Sequence, residues 1–577
     1  MRKKTIKGMV GFLLFAFVLG LAPYAFAGPG TVIIQTDPKE GITARFGGQV
    51  RVIPTYEEDW DFGLSKLGFN GLRTHINEAG AISRDYIRNE DRLYFNFAKG
   101  DLWDVYMALE FDAPLIQRRT DRIRNFEKGI FDDFGIERIQ ASLKLAPIRS
   151  RLHAGWDVYS VDIDGGGFVY IDDDPGIWLT GGVGPLSWRA GFHQKNEDNF
   201  AQTDKLTLTE FGPTPIGNFE RGDEERRIWT ARVDYTIVKG TKAALFWAFN
   251  DAHVRGQPPA TFAPDINSHY IGTIISADVA GFKPLIEVAG NFGSVRSDFG
   301  GAKDVFGNCL STGTPLTPCP PGKREFDLGS VGVFADIAYD ASKVFGFKFE
   351  PHVGFYWLRG DDDPTDDNLE GWSPVIAMPR FSPRFGGENL ILTDGNAVWG
   401  SPLYSFLPEQ AYGNQSAFLS NGGGLFGISR SDNPGMRLVG GGIDTEPWKG
   451  KLRYRTNAFG LWFNEDFLVG RIPAGFENNA SVLGLIPRQG APFRLVDDRF
   501  FGVEWDNEIT YFLTKNTFIK LQFSFLFPGE AADRVTGALA NIGTGEFVTF
   551  GGTSVEKAGK FETDTVKRVA VELWWNF

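Results

Sequence analysis

Apolar and polar side chains alternate residue by residue along many short stretches of this chain, a period of two that marks a β-strand with one face in hydrocarbon and the other in water. In the segment 564–577, DTVKRVAVELWWNF, Val569, Val571, Leu573 and Trp575 share one face, and Arg568, Glu572 and Asn576 share the other. Over 227–237, Trp229, Ala231, Val233, Tyr235 and Ile237 face one way and Thr230, Arg232 and Asp234 the other. Over 451–463, Leu452, Tyr454, Thr456, Ala458 and Trp462 oppose Arg453, Arg455 and Asn457. An Arg at a bilayer midplane costs about 2–4 kcal/mol, so the charged faces are expected inside and the apolar faces outside.

The spacing of these stretches predicts their arrangement. Strands over 43–53, 91–98 and 102–112 begin the series, the last two joined only by Lys99, Gly100 and Asp101. Equally short links follow at 146–148, 184–185, 239–240, 281–282, 447–450 and 514–516, set by Gly, Pro and Asn. Long polar connections lie between them at 55–89, 113–135, 194–225, 296–325, 359–433, 464–499 and 528–565. Alternating brief and extended links, with strands near the ten or so residues that cross a bilayer at a tilt, predict a fold of class all-β. The expected form is a transmembrane antiparallel β-barrel of about 18 strands, with short periplasmic turns at one rim and long extracellular loops at the other. No internal repeat and no Pro-rich linker divides the chain, so 28–577 is expected to be a single outer-membrane barrel domain containing the long loop 359–433.

The N-terminal segment reads as an export signal. Arg2, Lys3, Lys4 and Lys7 precede an apolar run over 9–21 and an Ala25-Phe26-Ala27 cleavage pattern, giving a signal peptide over 1–27. No later segment offers the roughly 20 consecutive apolar residues of a helical span. Composition alters the picture little: 71 Gly and 52 Phe beside 5 Met suit strands and interfacial aromatic belts. A net charge of −13 argues against a nucleic-acid partner.

Counting alternate residues places a set of basic side chains inward: Arg45, Arg51, Arg92, Arg138, Lys144, Arg151, Arg189, Arg232, Arg453, Arg455 and Arg568. The acidic inward set is Glu287, Glu350, Glu504, Asp506 and Glu508. Because the last strand closes on the first, the basic positions form one arc of wall, and such an arc in a water-filled lumen would attract anions. The other reading is that these groups pair across neighbouring strands and hold the wall together. The loop 359–433 opens with Gly360, Asp361, Asp362 and Asp363 and carries Trp372, Arg380 and Arg384. Its length points to a segment folded into the channel mouth, with Arg380 and Arg384 as constriction candidates and the aspartates outside or around a hard cation.

Catalytic constellations are absent: there is no G-x-S-x-G, H-E-x-x-H, P-loop or C-x-x-C-H, so neither an enzyme nor a cofactor is expected, and no metal site is assigned. The two cysteines, Cys309 and Cys319, share one predicted external loop, and an oxidising compartment favours a disulfide between them. A thiolate metal pair would lack further ligands, since no His is near.

With an export signal, some eighteen strands, an Arg-rich inner wall and a C-terminal Phe577, the chain resembles the large bacterial outer-membrane β-barrel porins. Gly360-Asp361 with Trp372-Ser373-Pro374 and Phe381-Ser382-Pro383 resembles, over that loop alone, the alginate-export channel family, whose usual form these units depart from. The porin resemblance implies passive or facilitated diffusion of small or anionic hydrophilic solutes across the outer membrane of a Gram-negative-type bacterium. It implies recognition of Phe577 by the barrel-assembly machinery, contact with outer-membrane lipid, and room for a homo-oligomer. A structural barrel sheathing a partner such as a cytochrome is the alternative reading.

Overall fold

The computed structural model describes residues 32–37, 41–59, 85–114, 134–163, 169–195, 225–253, 265–300, 321–362, 366–372, 374–375, 434–470, 493–550 and 552–577. The export signal, Arg380, Arg384, Cys309 and Cys319 lie outside the described residues.

One sheet contains twenty strands, and eighteen of them form a closed antiparallel cylinder. They are β1 (Ile42–Glu58), β2 (Asp85–Lys99), β3 (Trp103–Pro114), β4 (Phe134–Leu145), β5 (Ser150–Ser160) and β6 (Ile171–Val183). Next come β7 (Leu186–Lys195), β8 (Glu225–Val238), β9 (Thr241–His253), β10 (Asp265–Ala277), β11 (Phe282–Gly300) and β12 (Pro321–Tyr339). The series ends with β13 (Lys348–Leu358), β14 (Met436–Trp448), β15 (Leu452–Phe463), β16 (Phe500–Phe512), β17 (Thr517–Pro528) and β18 (Val566–Asn576).

Each strand pairs with its sequence neighbour, and β18 returns to β1 in a register running from Gln49↔Asn576 to Glu58↔Lys567. Gly48 and Phe577 exchange two backbone hydrogen bonds of 2.9 Å and extend the seam by one pair. The chain closes there as tightly as anywhere else, because the Gly48 position abuts the Phe577 ring, leaving no room for a Cβ. A closed ladder has no unpaired edge, which is the condition for a sheet to reside in hydrocarbon. The short strand Val32–Asp37 pairs with the lower part of β1, in line with β18.

The alternation read from the sequence matches the faces. Leu93, Val105, Ile139, Val233, Leu245 and Val353 are exposed on the outer surface. Glu90, Ser142, Thr230, Asn457, Glu504 and Glu572, at the alternate positions, are buried inside. Two further long connections, 161–170 and 254–264, and one short turn over 340–347, complete the set that the sequence reading began. Strand β2 starts at Asp85, inside the region expected to be loop, so this strand runs farther toward the long-loop rim than the alternation predicts.

The connections at that rim carry structure of their own. The region 528–565, expected to be polar linkage, holds the helix Glu530–Leu539 and the strands Gly543–Phe550 and Thr553–Ala558. With Phe467–Gly470 and Phe493–Val496 these strands make a separate four-stranded sheet. The helix buries Ala531, Ala532, Val535 and Ala538 on one face, the 3.6-residue spacing of an amphipathic helix. Glu530 and Asp533 lie in its first turn, where the helix dipole favours negative charge.

Candidate functional site

The lumen has two unlike walls. Around β1–β7 the inward side chains are largely charged or polar, with Ile53 and Trp178 among them. Arg51, only 1% exposed, is clamped between strands: its Nε donates to Glu572 Oε1 at 2.6 Å and its Nη1 pairs with Glu90. The guanidinium also lies 4.3 Å from the Trp574 ring centroid. Arg92 pairs with Glu90 at 2.9 Å and Glu137 at 2.7 Å, and also with Glu110. Arg138 pairs with Glu137 at 2.9 Å. Arg151 reaches Asp104 and Asp101 at 2.8 Å each, and Lys144 pairs with Asp101. That hydrogen bond from Lys144 holds the Asp101 carboxyl, in an exposed turn, below the usual carboxylate range. Tyr94 donates to Gln49 Oε1 at 3.0 Å and stacks on Tyr106. His153, hydrogen-bonded to Gln140 and Thr180, lies flat against Trp178 at 5.2 Å. Arg45 is exposed near the short-turn rim.

The carboxylates Glu90, Asp104, Glu110 and Glu137 therefore interleave with the basic arc. The basic partner sits nearer the water in some of these pairs, whereas at Asp101, 71% exposed against 47% for Lys144 and 25% for Arg151, the acidic one does. Arg138 is 31% exposed where Glu137 is 8%. Across the lumen the same holds for Lys348 and Arg453, 38% and 33% exposed around an Asp444 that is 20% exposed. Arg455 lies 3.8 Å from Asp444. Glu350 pairs with Lys283, and Glu508 lies 3.6 Å from Lys520. Arg568, Glu504 and Asp506 are buried.

Around β8–β18, toward the long-loop rim, the inward positions turn apolar: Phe246, Phe334, Tyr356, Leu438, Phe459 and Leu461 are all buried. An apolar inner wall is stable only if something covers it, and the chain's own connections do so. Val161, Val169 and Tyr170, from the connection between β5 and β6, are fully buried in this core, as is the helix face described above. Trp372 and Val375, from the long insertion, join them.

The β5–β6 connection is bolted in place from several sides. Val169 N–H donates to Asp162 Oδ2 at 2.7 Å, and Val161 N–H to the Tyr170 carbonyl at 3.1 Å, closing a hairpin. Arg189 Nη2 donates to the Asp162 carbonyl at 3.2 Å. Arg232 Nη1 donates to the same carbonyl and to that of Val161 at 3.4 Å, while its other nitrogens hold Asp234 at 2.7–3.1 Å. Glu287, fully buried on β11, faces Asp162 and the Ile163 amide from across the lumen. Val375 N–H donates to the Val169 carbonyl at 3.0 Å, and Trp372 N–H to the Arg359 carbonyl at 2.9 Å. Two separate connections thus meet against the inner wall.

Sequence reasoning singled out the long insertion for this role and passed over 161–170. The signal there was small: Val161-Asp162-Ile163 and Phe168-Val169-Tyr170 flank Gly165-Gly166-Gly167, two apolar arms around a glycine turn. Arg189, Arg232 and Glu287 were placed on the wall, and the structure gathers them on this hairpin. In the insertion, ligand atoms of Asp361, Asp362 and Glu370 lie within 4.8 Å of one another, a grouping that could hold a cation. Burial, then the Asp362 carboxylate, lifts Glu370 above its ordinary value; Arg359, paired with it at 2.5 Å, opposes the rise.

No family model matches the chain, and no curated protein matches it. Among solved structures it is similar to Pseudomonas aeruginosa OpdQ, at 12% identity and a TM-score of 0.41, covering 93% of this chain and 99% of that one. The outer membrane protein OpdK of the same organism shows 10% identity and a TM-score of 0.41, with 92% and 98% covered. OccK5 (OpdH) shows 11% and 0.39, with the same coverage. At these scores the functional reading rests on the lumen of this chain itself.

Proposed function

We propose that this protein is an outer-membrane channel through which small hydrophilic solutes diffuse, with a preference for anions. The observation that carries it is the union of a closed, apolar-skinned barrel with a lumen whose described polar wall, β1–β7, keeps partly exposed Arg, Lys and Tyr side chains in a continuous series from Lys144 to Arg92. Solutes would pass along that wall, because the opposite upper wall is covered by the chain's own hairpin and helix. The anion preference rests on Arg92, Arg138, Lys348 and Arg453, which lie nearer the water than their partners Glu137 and Asp444, and is opposed at the short-turn rim by Asp101, 71% exposed.

Salt-gradient recordings from single channels in planar bilayers test this. The expected result is a water-filled conductance with a reversal potential displaced toward the anion equilibrium value. A cation-selective reversal potential would remove the anion preference, and absence of any conductance would remove the channel. The sheath alternative fits less well, since apolar segments of the chain itself occupy the upper lumen that a guest protein would need.

A further inference from the structure

Glu287 projects from β11 into the core around the 161–170 hairpin, flanked in register by Ile274 on β10 and Phe334 on β12, both buried. It is 0% exposed, and neither carboxyl oxygen takes a hydrogen bond of good geometry. An ionised carboxylate is costly in such a place unless a neighbour supplies a proton. The polar side chain opposite is Asp162 of the hairpin, itself 0% exposed. Asp162 Oδ2 accepts the Val169 N–H at 2.7 Å, and Oδ1 lies 3.4 Å from Ser160 Oγ. Around this pair stand Arg189 and His193 from β7, Arg232 and Asp234 from β8, and Tyr356 from β13. Arg189 and Arg232 are register partners, two like charges adjacent to each other against the Asp162 backbone. His193 is buried, with its ring 4.3 Å from Tyr159 and 5.7 Å from Tyr170 of the hairpin. Two guanidiniums thus face three carboxyls, those of Asp162, Asp234 and Glu287. One proton on the Asp162–Glu287 pair leaves the set neutral, and its loss leaves a buried negative charge.

We propose that Asp162 and Glu287 form a one-proton latch: a proton shared between the two carboxyls keeps the hairpin seated against the inner wall, and its release in a less acidic medium loosens the hairpin. This goes beyond the channel reading and rests on it only for the effect on conductance. Val161, Ile163, Val169 and Tyr170 seat the hairpin by packing, whereas the carboxyl pair is a contact whose sign depends on a proton. Burial lifts Asp162 to about 6, and the Val169 amide and the Arg189 and Arg232 guanidiniums oppose the rise. Once unseated, Asp162 meets water and returns to the ordinary carboxyl range. A carboxyl raised in the seated state supports the seat fully below its ordinary value and loses that support as pH rises through the raised one. The hairpin is therefore held hardest in acid.

Hydrogen exchange of the full chain in detergent tests the latch, read at the Val161 and Val375 amides, which bond to the hairpin's Tyr170 and Val169 carbonyls, from about pH 4 to about pH 9. Protection, corrected for the intrinsic pH dependence of exchange, should fall by up to about tenfold per pH unit across the titration and then level off. Glu287→Gln and Asp162→Asn each replace a carboxyl by a neutral amide of the same shape, and each should flatten that fall. Glu287→Gln alone decides the matter should Asp162→Asn fail to fold. His193→Asn should keep the fall; if it abolishes it, the imidazole is the sensor and the proposal fails. Added EDTA should leave protection unchanged, and protection lost to the chelator would put a cation, not a proton, between the carboxyls. Parent protection that does not vary with pH, or the same fall in the amide variants, overturns the proposal. Single-channel recordings on the same preparations separate the two readings: pH-dependent protection without conductance sinks only the channel, and conductance with pH-independent protection sinks only the latch.

Discussion

The inner wall of β1–β7 and the upper inner wall of β8–β18 are built from the same alternating strands, yet they solve opposite problems. In the first, charged side chains face the lumen and satisfy one another across strands while keeping contact with water. In the second, Phe246, Tyr356, Leu438 and Phe459 face inward and would be costly if wetted, so the chain folds its own hairpin, helix and insertion against them. One wall is thereby left lined by charged and polar groups, the route that the proposed channel would use, and the other becomes an anchor for the segments packed against it. Inward position in a barrel does not by itself mean contact with water.

Breaking the polar wall at its tightest point should have the largest effect. Arg51→Met removes the clamp between Glu90 and Glu572 beside the seam; since Arg92 and Lys520 still hold these carboxylates at 2.9 Å, a loss of about 3 kcal/mol, the low end for a broken buried pair, is expected in urea unfolding in detergent. A loss within the error of the parent value would show that the seam does not depend on this clamp. On the apolar wall, Trp372→Ala removes a fully packed ring that meets Tyr270 edge-on at 6.0 Å. About 3 kcal/mol of packing should disappear locally. The readout is conductance, which should rise as the insertion loosens while the barrel's own unfolding midpoint moves little.

Arg232→Ala joins the two regions, because this charged residue of β8, on the strand next to the polar wall, holds the hairpin that covers the apolar wall. Loss of its charge-assisted bonds to the Val161 and Asp162 carbonyls costs about 1.5–3 kcal/mol each at most. Open-channel noise should increase by less than in Trp372→Ala; quiet channels of unchanged conductance would assign the hairpin's position to packing alone. Arg138→Ala removes a partly exposed cation whose partner Glu137 keeps Arg92 at 2.7 Å, and should shift the reversal potential slightly toward cations with little change in stability. The smallest effect concerns Asp101. Its folded pKa is depressed, so the support from its bonds to Lys144 and Arg151 is present at neutral pH and is lost as pH falls through that depressed value. Hydrogen exchange of the turn at Lys99–Asp101 should accelerate only on acidification below the ordinary Asp range, and D101N should remove that dependence.

Much of the barrel was legible in the residues. Alternation fixed which side chains of β8, β15 and β18 face inward, and Gly-, Pro- and Asn-bearing links marked the short turns, because both signals are local and periodic. Long connections are legible where polarity or length is conspicuous. The hairpin at 161–170 is short and partly apolar, and it merged with the strands on either side. The helix Glu530–Leu539 was read as linkage because ten residues give few repeats of a helical period.

The sequence by itself determined the strand count, the inward and outward faces and the closed antiparallel form, since a period of two and the solubility of each face in lipid or water are properties of residues in order. Only the tertiary structure decided which carboxylate each lumen arginine meets, which half of the inner wall is dry, and which connection reaches inside. Those depend on contacts between segments far apart in the chain, such as Arg51 with Glu572 and Val169 with Val375. Such contacts are set by register and barrel closure, which no local pattern encodes.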